Sequence, residues 1–247
     1  MKGLYSLIIA TVLLASNSFA QTGPATKRAT PDKTGLSAPT NASLDLAKAT
    51  VAAHGGDKLK ALKSMVTKGS ADLNAMGQAF PAAFSMAFSG DKYYFEINSV
   101  VQSIKQVFDG RNTYSSIPGF ALPPMTSLGF PLLVRVGDAG YVITTVPDDK
   151  KKRKGFRVST PEGFYTDFFV DEKTGQIKAY ESSYATSTGT AMTAVEIDEY
   201  QTVEGIVVPK KYSQRIDLGP MTAYANFKAK TILVNSAIEA DAFAIPR

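Results

Sequence analysis

The chain has 247 residues, 44% of them hydrophobic, with 27 Lys and Arg against 22 Asp and Glu and a formal net charge of +5. It has no cysteine and one histidine, His54, which excludes thiol nucleophiles, thiolate metal sites and disulfides. Its basic residues form one cluster and no stripe with stacking aromatics, so binding of nucleic acid is not expected.

The first twenty residues, MKGLYSLIIATVLLASNSFA, place a lysine at position 2 ahead of an apolar run from Leu4 to Ala15. They close on Ser18-Phe19-Ala20, with small residues at the −3 and −1 positions. This is the layout of a cleavable secretory signal, cut after Ala20. The run is short for a membrane span, which needs about 20 residues. The expected location is the periplasm, as a monomer. Residues 21–42 are rich in Thr, Pro, Ala, Gly and Lys and poor in large apolar side chains. Such a segment buries too little to offset its own ordering, and reads as a flexible linker.

Residues 43–247 read as one domain, large enough to need no metal or disulfide. It opens with a helix on which Leu44, Ala47 and Val51 recur at helical spacing, with Asn41 or Ser43 as its N-cap. His54-Gly55-Gly56 ends it: glycine supplies the left-handed stop, and a histidine in the last turn suits the negative end of the helix dipole. Asp57 caps a short second helix carrying Leu59 and Leu62.

After Lys63 the texture changes to alternation broken by turns at Asn74–Gly77, Gly90-Asp91, near Asn98, Asp171–Gly175 and Val203–Gly205. About ten or eleven strands follow with no long helix between them, so they pair antiparallel as a meander. A sheet of that size curls. The expected fold is mainly β (α+β): a strongly curved antiparallel sheet or half-barrel, with an N-terminal helix across its concave face and a helical lid.

Ile117 to Asp138, IPGFALPPMTSLGFPLLVRVGD, holds four prolines and three glycines among large apolar residues. It must bury those side chains, most simply over the mouth of the curved sheet. It is either a static plug or a movable lid with short helices at Pro123–Leu128 and Pro131–Val136. The candidate lining of an apolar cavity is Phe84, Met86 and Phe88 on one strand face, with Phe120, Leu122, Met125, Phe130 and Leu132 from this segment.

One charge run stands out, Asp148 to Phe156. Consecutive Lys150, Lys151, Lys152, Arg153 and Lys154 suit a hairpin tip, either merely solvated or in contact with anionic headgroups or an acidic partner. Each cation near an anionic surface is worth about 1 kcal/mol. No phosphate loop, dinucleotide fingerprint, nucleophile elbow or zinc-protease motif occurs. Glu196 and Asp198 share a strand face, but the alternation places them on the solvated side. Asp167, Asp171 and Glu172 read as a strand end and hairpin. No enzyme activity, cofactor or metal is expected.

Four phrases line up in order. AHGGDKLKALKSM resembles the helix-to-first-strand junction of outer-membrane lipoprotein-sorting proteins, the LolA/LolB-like superfamily. VFDGRNTY resembles its Asp-Gly hairpin. DEYQTVEGIVVPKKY resembles its late hairpin, and AIEADAFAIPR its closing segment. The resemblance implies a curved antiparallel sheet, a helical lid and a cavity for acyl chains. It departs from the family in having no lid-locking arginine at a matching position; Arg111 and Arg135 are available. It implies a soluble carrier of the acyl chains of a lipid or lipoprotein, with transient membrane-surface contact. The alternative on the same scaffold is an envelope sensor or interaction module binding a protein partner.

Overall fold

In a computed structural model of the protein, the structure describes residues 41–75, 78–100, 103–116, 126, 128–147, 153–186, 189–218 and 221–246. The signal and nearly all of the linker lie outside the described residues, as do Phe120, Leu122, Met125, Lys150, Lys151 and Lys152 and most of the helix expected at Pro123–Leu128.

Helix α1 (Asn41–Ala53) begins two residues before the expected domain boundary and buries Ser43, Ala47, Thr50 and Val51. Ser43 lies inside the helix with its hydroxyl 3.3 Å from that of Thr145, so it is a packing contact and not the N-cap. The helix stops as the glycines require. Gly56 N–H donates to Val51 O and Gly55 N–H to Ala52 O, the paired bonds of a Schellman stop. Gly55 has φ +118°, and a Cβ there would fall 2.6 Å from Gly205 O. Helix α2 (Asp57–Lys60) follows with Gly56, not Asp57, at its cap position.

The alternating segments form twelve strands among the described residues. They are β1 (Ser64–Ala75), β2 (Gln78–Ser89), β3 (Lys92–Ser99), β4 (Ser103–Phe108), β5 (Thr113–Ser115) and β6 (Val142–Thr144). The chain continues through β7 (Gly155–Ser159), β8 (Tyr165–Val170), β9 (Ile177–Thr186), β10 (Gly189–Val203), β11 (Ile206–Leu218) and β12 (Met221–Val234). All lie in one sheet of order β5-β4-β3-β2-β1-β12-β11-β10-β9-β8-β7-β6, antiparallel throughout. It is therefore two meanders joined at the centre by β1 and β12, rather than the single meander expected. The two edges, β5 and β6, are three residues each, short enough to resist edge-to-edge pairing. Helix α1 packs against β6 and β7, with Ala47 and Val51 in the core.

Two consequences follow from this order. Strands β5 and β6 are neighbours in sequence but opposite edges of the sheet, so the connection 116–141 has to cross from one edge to the other. The sheet also curls. Strands β4 and β9 are seven spacings apart, about 34 Å if the sheet were flat, yet side chains from both line one cavity. The concave face carries the alternate residues Ala71, Phe227 and Tyr212 in one register row, and Leu73, Ala225, Gln214 and Val195 in the next. At Gly69 the β1–β12 register slips, and the Phe84 ring occupies the space a side chain would need, 2.8 Å from a Cβ built there.

Candidate functional site

The concave face does not close on itself. A cavity of about 360 Å³ lies between the curved wall and the crossing segment. Its wall includes Met65, Met86, Phe88, Phe95, Tyr212 and Phe227, and its cover includes Leu128, Gly129, Phe130 and Pro131. Among the described residues, none that lines it is charged. Several of the polar side chains that face inward are paired with one another. Gln106 donates to the Tyr93 hydroxyl. Gln214 donates to Thr193 at 2.9 Å, and the Thr166 and Ser182 hydroxyls lie 2.9 Å apart. Burial pushes the Tyr93 phenol up to about 12, against the opposing hydrogen bond from Gln106. Burial also pushes Tyr184 up to about 12 and raises Tyr180 and Tyr212. These four phenols keep their protons near neutrality.

The residues expected at the site divide. Met86, Phe88 and Phe130 line the cavity. Phe84 packs edge-on against Phe227, ring centroids 5.1 Å apart, as part of the wall itself. Leu132 is fully buried in the core beside the cavity and does not line it. Sequence reading missed Tyr93, Gln106, Tyr180, Tyr184 and Tyr212. The alternation Tyr180-x-Ser182-x-Tyr184 on β9 was the signal for two of them.

The crossing segment is pinned where it is described. Residues Phe130–Arg135 form a 3-10 helix close to the short helix expected at Pro131–Val136. Gly129 N–H donates to Thr166 Oγ1 at 3.1 Å. Lys60 Nζ donates to Val134 O, to Val136 O at 2.9 Å and to Asp138 at 2.8 Å, gathering the carbonyls at the helix end. Arg135 pairs with Asp91 at 3.1 Å and Asp138 at 3.6 Å. These bonds tie Gly129–Asp138 to α2, to β8 and to the turn at Asp91.

His54 holds the same end of the sheet together. Its ring is fully buried. Ile177 N–H donates to Nε2 at 3.0 Å, so Nε2 carries no proton and Nδ1–H donates to Val207 O at 2.8 Å. Val207 N–H returns a bond to His54 O at 3.1 Å. Phe130 and Tyr200 stand edge-on to the ring, with centroids 5.3 and 5.1 Å away. Burial holds the imidazole below its ordinary 6.5, outweighing the Val207 bond. The side chain is thus a neutral rivet between α1, β9 and β11. The expected interaction of a charged imidazole with the helix dipole is not what the structure contains.

Outside the cavity, Glu196 and Asp198 are exposed on the convex side as expected. Asp167 is not part of a solvated strand end: it is buried, and it holds Arg157 through two oxygens at 2.6 and 2.8 Å, with the guanidinium 3.8 Å over the Tyr165 ring. In the basic run, Arg153 pairs with Glu181 at 2.8 Å and sits 3.4 Å over the Phe169 ring, so its charge is committed within the fold. Lys154 is exposed. Among the described residues no cluster of His, Asp or Glu could hold a metal, and no helix is long and apolar enough to cross a membrane.

Solved structures similar to the chain include the following three. A DUF1329 family protein from Desulfovibrio piger superposes with a TM-score of 0.47 at 10% identity, over 84% of this chain and 98% of its own. A putative outer membrane lipoprotein-sorting protein domain from Vibrio parahaemolyticus gives 0.44 at 8%, over 82% and 96%. A LolA superfamily protein from Nitrosomonas europaea gives 0.49 at 8%, over 79% and 97%. No protein-family model and no curated protein matches the chain.

Proposed function

We propose that the chain is a periplasmic carrier that holds acyl chains of a lipid or lipoprotein in the concave cavity. One observation carries this reading: a hollow of about 360 Å³ with no charged residue in its lining among the described residues. That size falls within the range of ligand sites, roughly 300–1,000 Å³. An apolar hollow stays dry and accepts hydrocarbon. Each methylene moved from water into such a space contributes about 0.8 kcal/mol, so part of one chain suffices for firm binding. The work is binding and release, with no bond made or broken. Met86, Phe88 and Phe130 supply the contact surface.

Native mass spectrometry of the purified protein, followed by lipid extraction, tests this. A monomer with excess mass that leaves on denaturation, and an acyl lipid in the extract, is the expected result. A protein of bare mass that also fails to take up a fluorescent fatty-acyl probe overturns the carrier reading. Recovery of a protein partner by a chain that binds no lipid would identify an interaction module instead.

A further inference from the structure

The two ends of the sheet differ in charge. Between Asp72 and Asp91, Glu96 and Lys105, Glu181 and Glu196, and Asp217 and Lys228, the sequence has no charged residue. Each interval contains one hairpin: β1–β2, β3–β4, β9–β10 and β11–β12. The register puts all four turns at one end of the sheet, since Ala75 pairs with Gln78, Asn98 with Ser103, Thr186 with Gly189 and Leu218 with Met221. The fifth turn at that end carries Glu162. The turns at the other end carry Asp91-Lys92, Asp109 and Arg111, Asp171-Glu172-Lys173 and Glu204.

In a chain whose residues are 20% charged, four adjoining uncharged stretches at one end of the sheet are a specific feature. Beside these turns Val100 is 89% exposed and Met221 45%, whereas the half-exposed Met192 and Tyr224 stand on the convex face, paired in register with Asp217 and Arg215. The cavity reaches the same end, because Leu73, Asn74, Ile216 and Ala223 line it within a few register pairs of the turns.

We infer that this uncharged rim is a docking surface for a lipid bilayer, seating the cavity mouth at the boundary of headgroups and hydrocarbon. Uncharged and apolar side chains enter that boundary readily, whereas each Lys or Asp resists it. A protein partner would instead meet a rim of polar and charged groups around an apolar centre. Continuity with the cavity selects the bilayer: hydrocarbon passing between the two crosses no ring of charge. The choice of partner rests on the carrier reading, but the two fail separately, since one is read from bound lipid and the other from the position of the rim. The basic run is excluded as the main contact for this mouth. Gly155 pairs with Phe169, which puts Lys154 at the opposite end of the sheet.

The absence of cysteine allows a direct test. In the full chain, Val100→Cys and Met221→Cys each carry one environment-sensitive fluorophore at the rim, Lys173→Cys carries one at the far end, and Lys154→Cys one at the basic run. Adding phosphatidylcholine vesicles should shift the Val100 and Met221 emission to shorter wavelength, equally at low and high salt, and leave Lys173 unchanged. Val100→Lys with Met221→Lys should lower vesicle partition about tenfold. Unchanged emission at both rim positions overturns the proposal. So does a shift confined to Lys154 with phosphatidylglycerol vesicles and abolished by salt, which assigns the contact to the basic run. A rim shift that needs no lipid and grows with protein concentration also overturns it, and assigns the surface to a second copy of the chain.

Discussion

The two ends of the curved sheet are built on opposite terms. At one end the connections are tied by specific polar bonds: His54 to Val207 and Ile177, Lys60 to the carbonyls of the crossing segment, Arg135 to Asp91. At the other end four hairpin turns lie in uncharged stretches of sequence, and Val100 and Met221 stand exposed beside them. The cavity lies between them. A sheet that is riveted at one end can leave part of its core hollow without collapsing, because the cover is held by hydrogen bonds and by the burial of Phe130, Leu132 and Leu133 beside the cavity. Rigidity and access are thereby separated along the strands.

The largest effect should come from removing the central rivet. His54→Ala leaves Ile177 N–H and Val207 O without partners inside the protein and opens a void beside Phe130 and Tyr200. Two buried unsatisfied groups and a cavity together cost roughly 3–5 kcal/mol, read from urea unfolding. A loss below about 1 kcal/mol would mean that the end is not tied there. The pH dependence has a defined sign. Burial holds the folded imidazole below 6.5, so in the window below that value the unfolded chain binds a proton that the folded chain refuses. The contribution is complete above 6.5 and is lost as pH falls beneath it, at up to about 1.4 kcal/mol per pH unit. His54→Gln should remove this slope while leaving the dependence at lower pH, which belongs to carboxylates.

Lys60 is the second rivet. Lys60→Met keeps the aliphatic stem but leaves Val134 O and Val136 O without their shared donor, at a cost of about 1–2 kcal/mol. Hydrogen exchange should rise in residues 129–138 and stay unchanged in the rim hairpins. Exchange that rises equally at both ends would show that the cover and the rim are one cooperative unit.

The cavity can be probed by filling it. In a packed core, Ala225→Phe would cost about 1–3 kcal/mol through overpacking. Ala225 faces the hollow, so the ring should enter empty space with little change in stability. It should also weaken binding of a fluorescent fatty-acyl probe about tenfold, the effect of displacing roughly two methylenes. A large loss of stability would show that the space is not available to a side chain, and hence not to a ligand.

Much of this was legible in the chain because its signals are local. Period-two alternation and the Gly, Asp and Asn turns marked the long strands and most hairpins. The strand count fell short because β5 and β6 have three residues each, too few for a pattern. The join of β1 to β12 was hidden because it links positions some 160 residues apart in sequence. Met86, Phe88 and Phe130 could be named as lining because large apolar residues at alternate positions face one side. Phe84 follows the same rule but packs into the wall, a distinction set by Gly69 on the neighbouring strand. His54 was correctly placed at a helix end, yet its partners lie 123 and 153 residues away, and no local pattern reports them. Asp167 read as solvated until the register put it opposite Arg157.

The smallest effect is the one that sharpens the contrast most. Arg215 and Asp217 form a close pair just below the rim, with Asp217 also accepting from the Thr222 hydroxyl at 2.7 Å. In geometry the pair rivals the contact of Lys60 with Asp138. Its setting differs, because water surrounds the Arg215 side chain and screens the attraction, and holding two long side chains in register costs entropy. Arg215→Ala should therefore leave the unfolding midpoint unchanged within error. The pair's effect, if it has one, should appear in vesicle binding, since removing Arg215 leaves Asp217 as an unbalanced anion beside the uncharged hairpins. Weaker partition at unaltered stability would identify the rim as a surface selected for charge balance and not for holding the fold together. A drop in stability comparable to that of Lys60→Met would erase the distinction between the two ends.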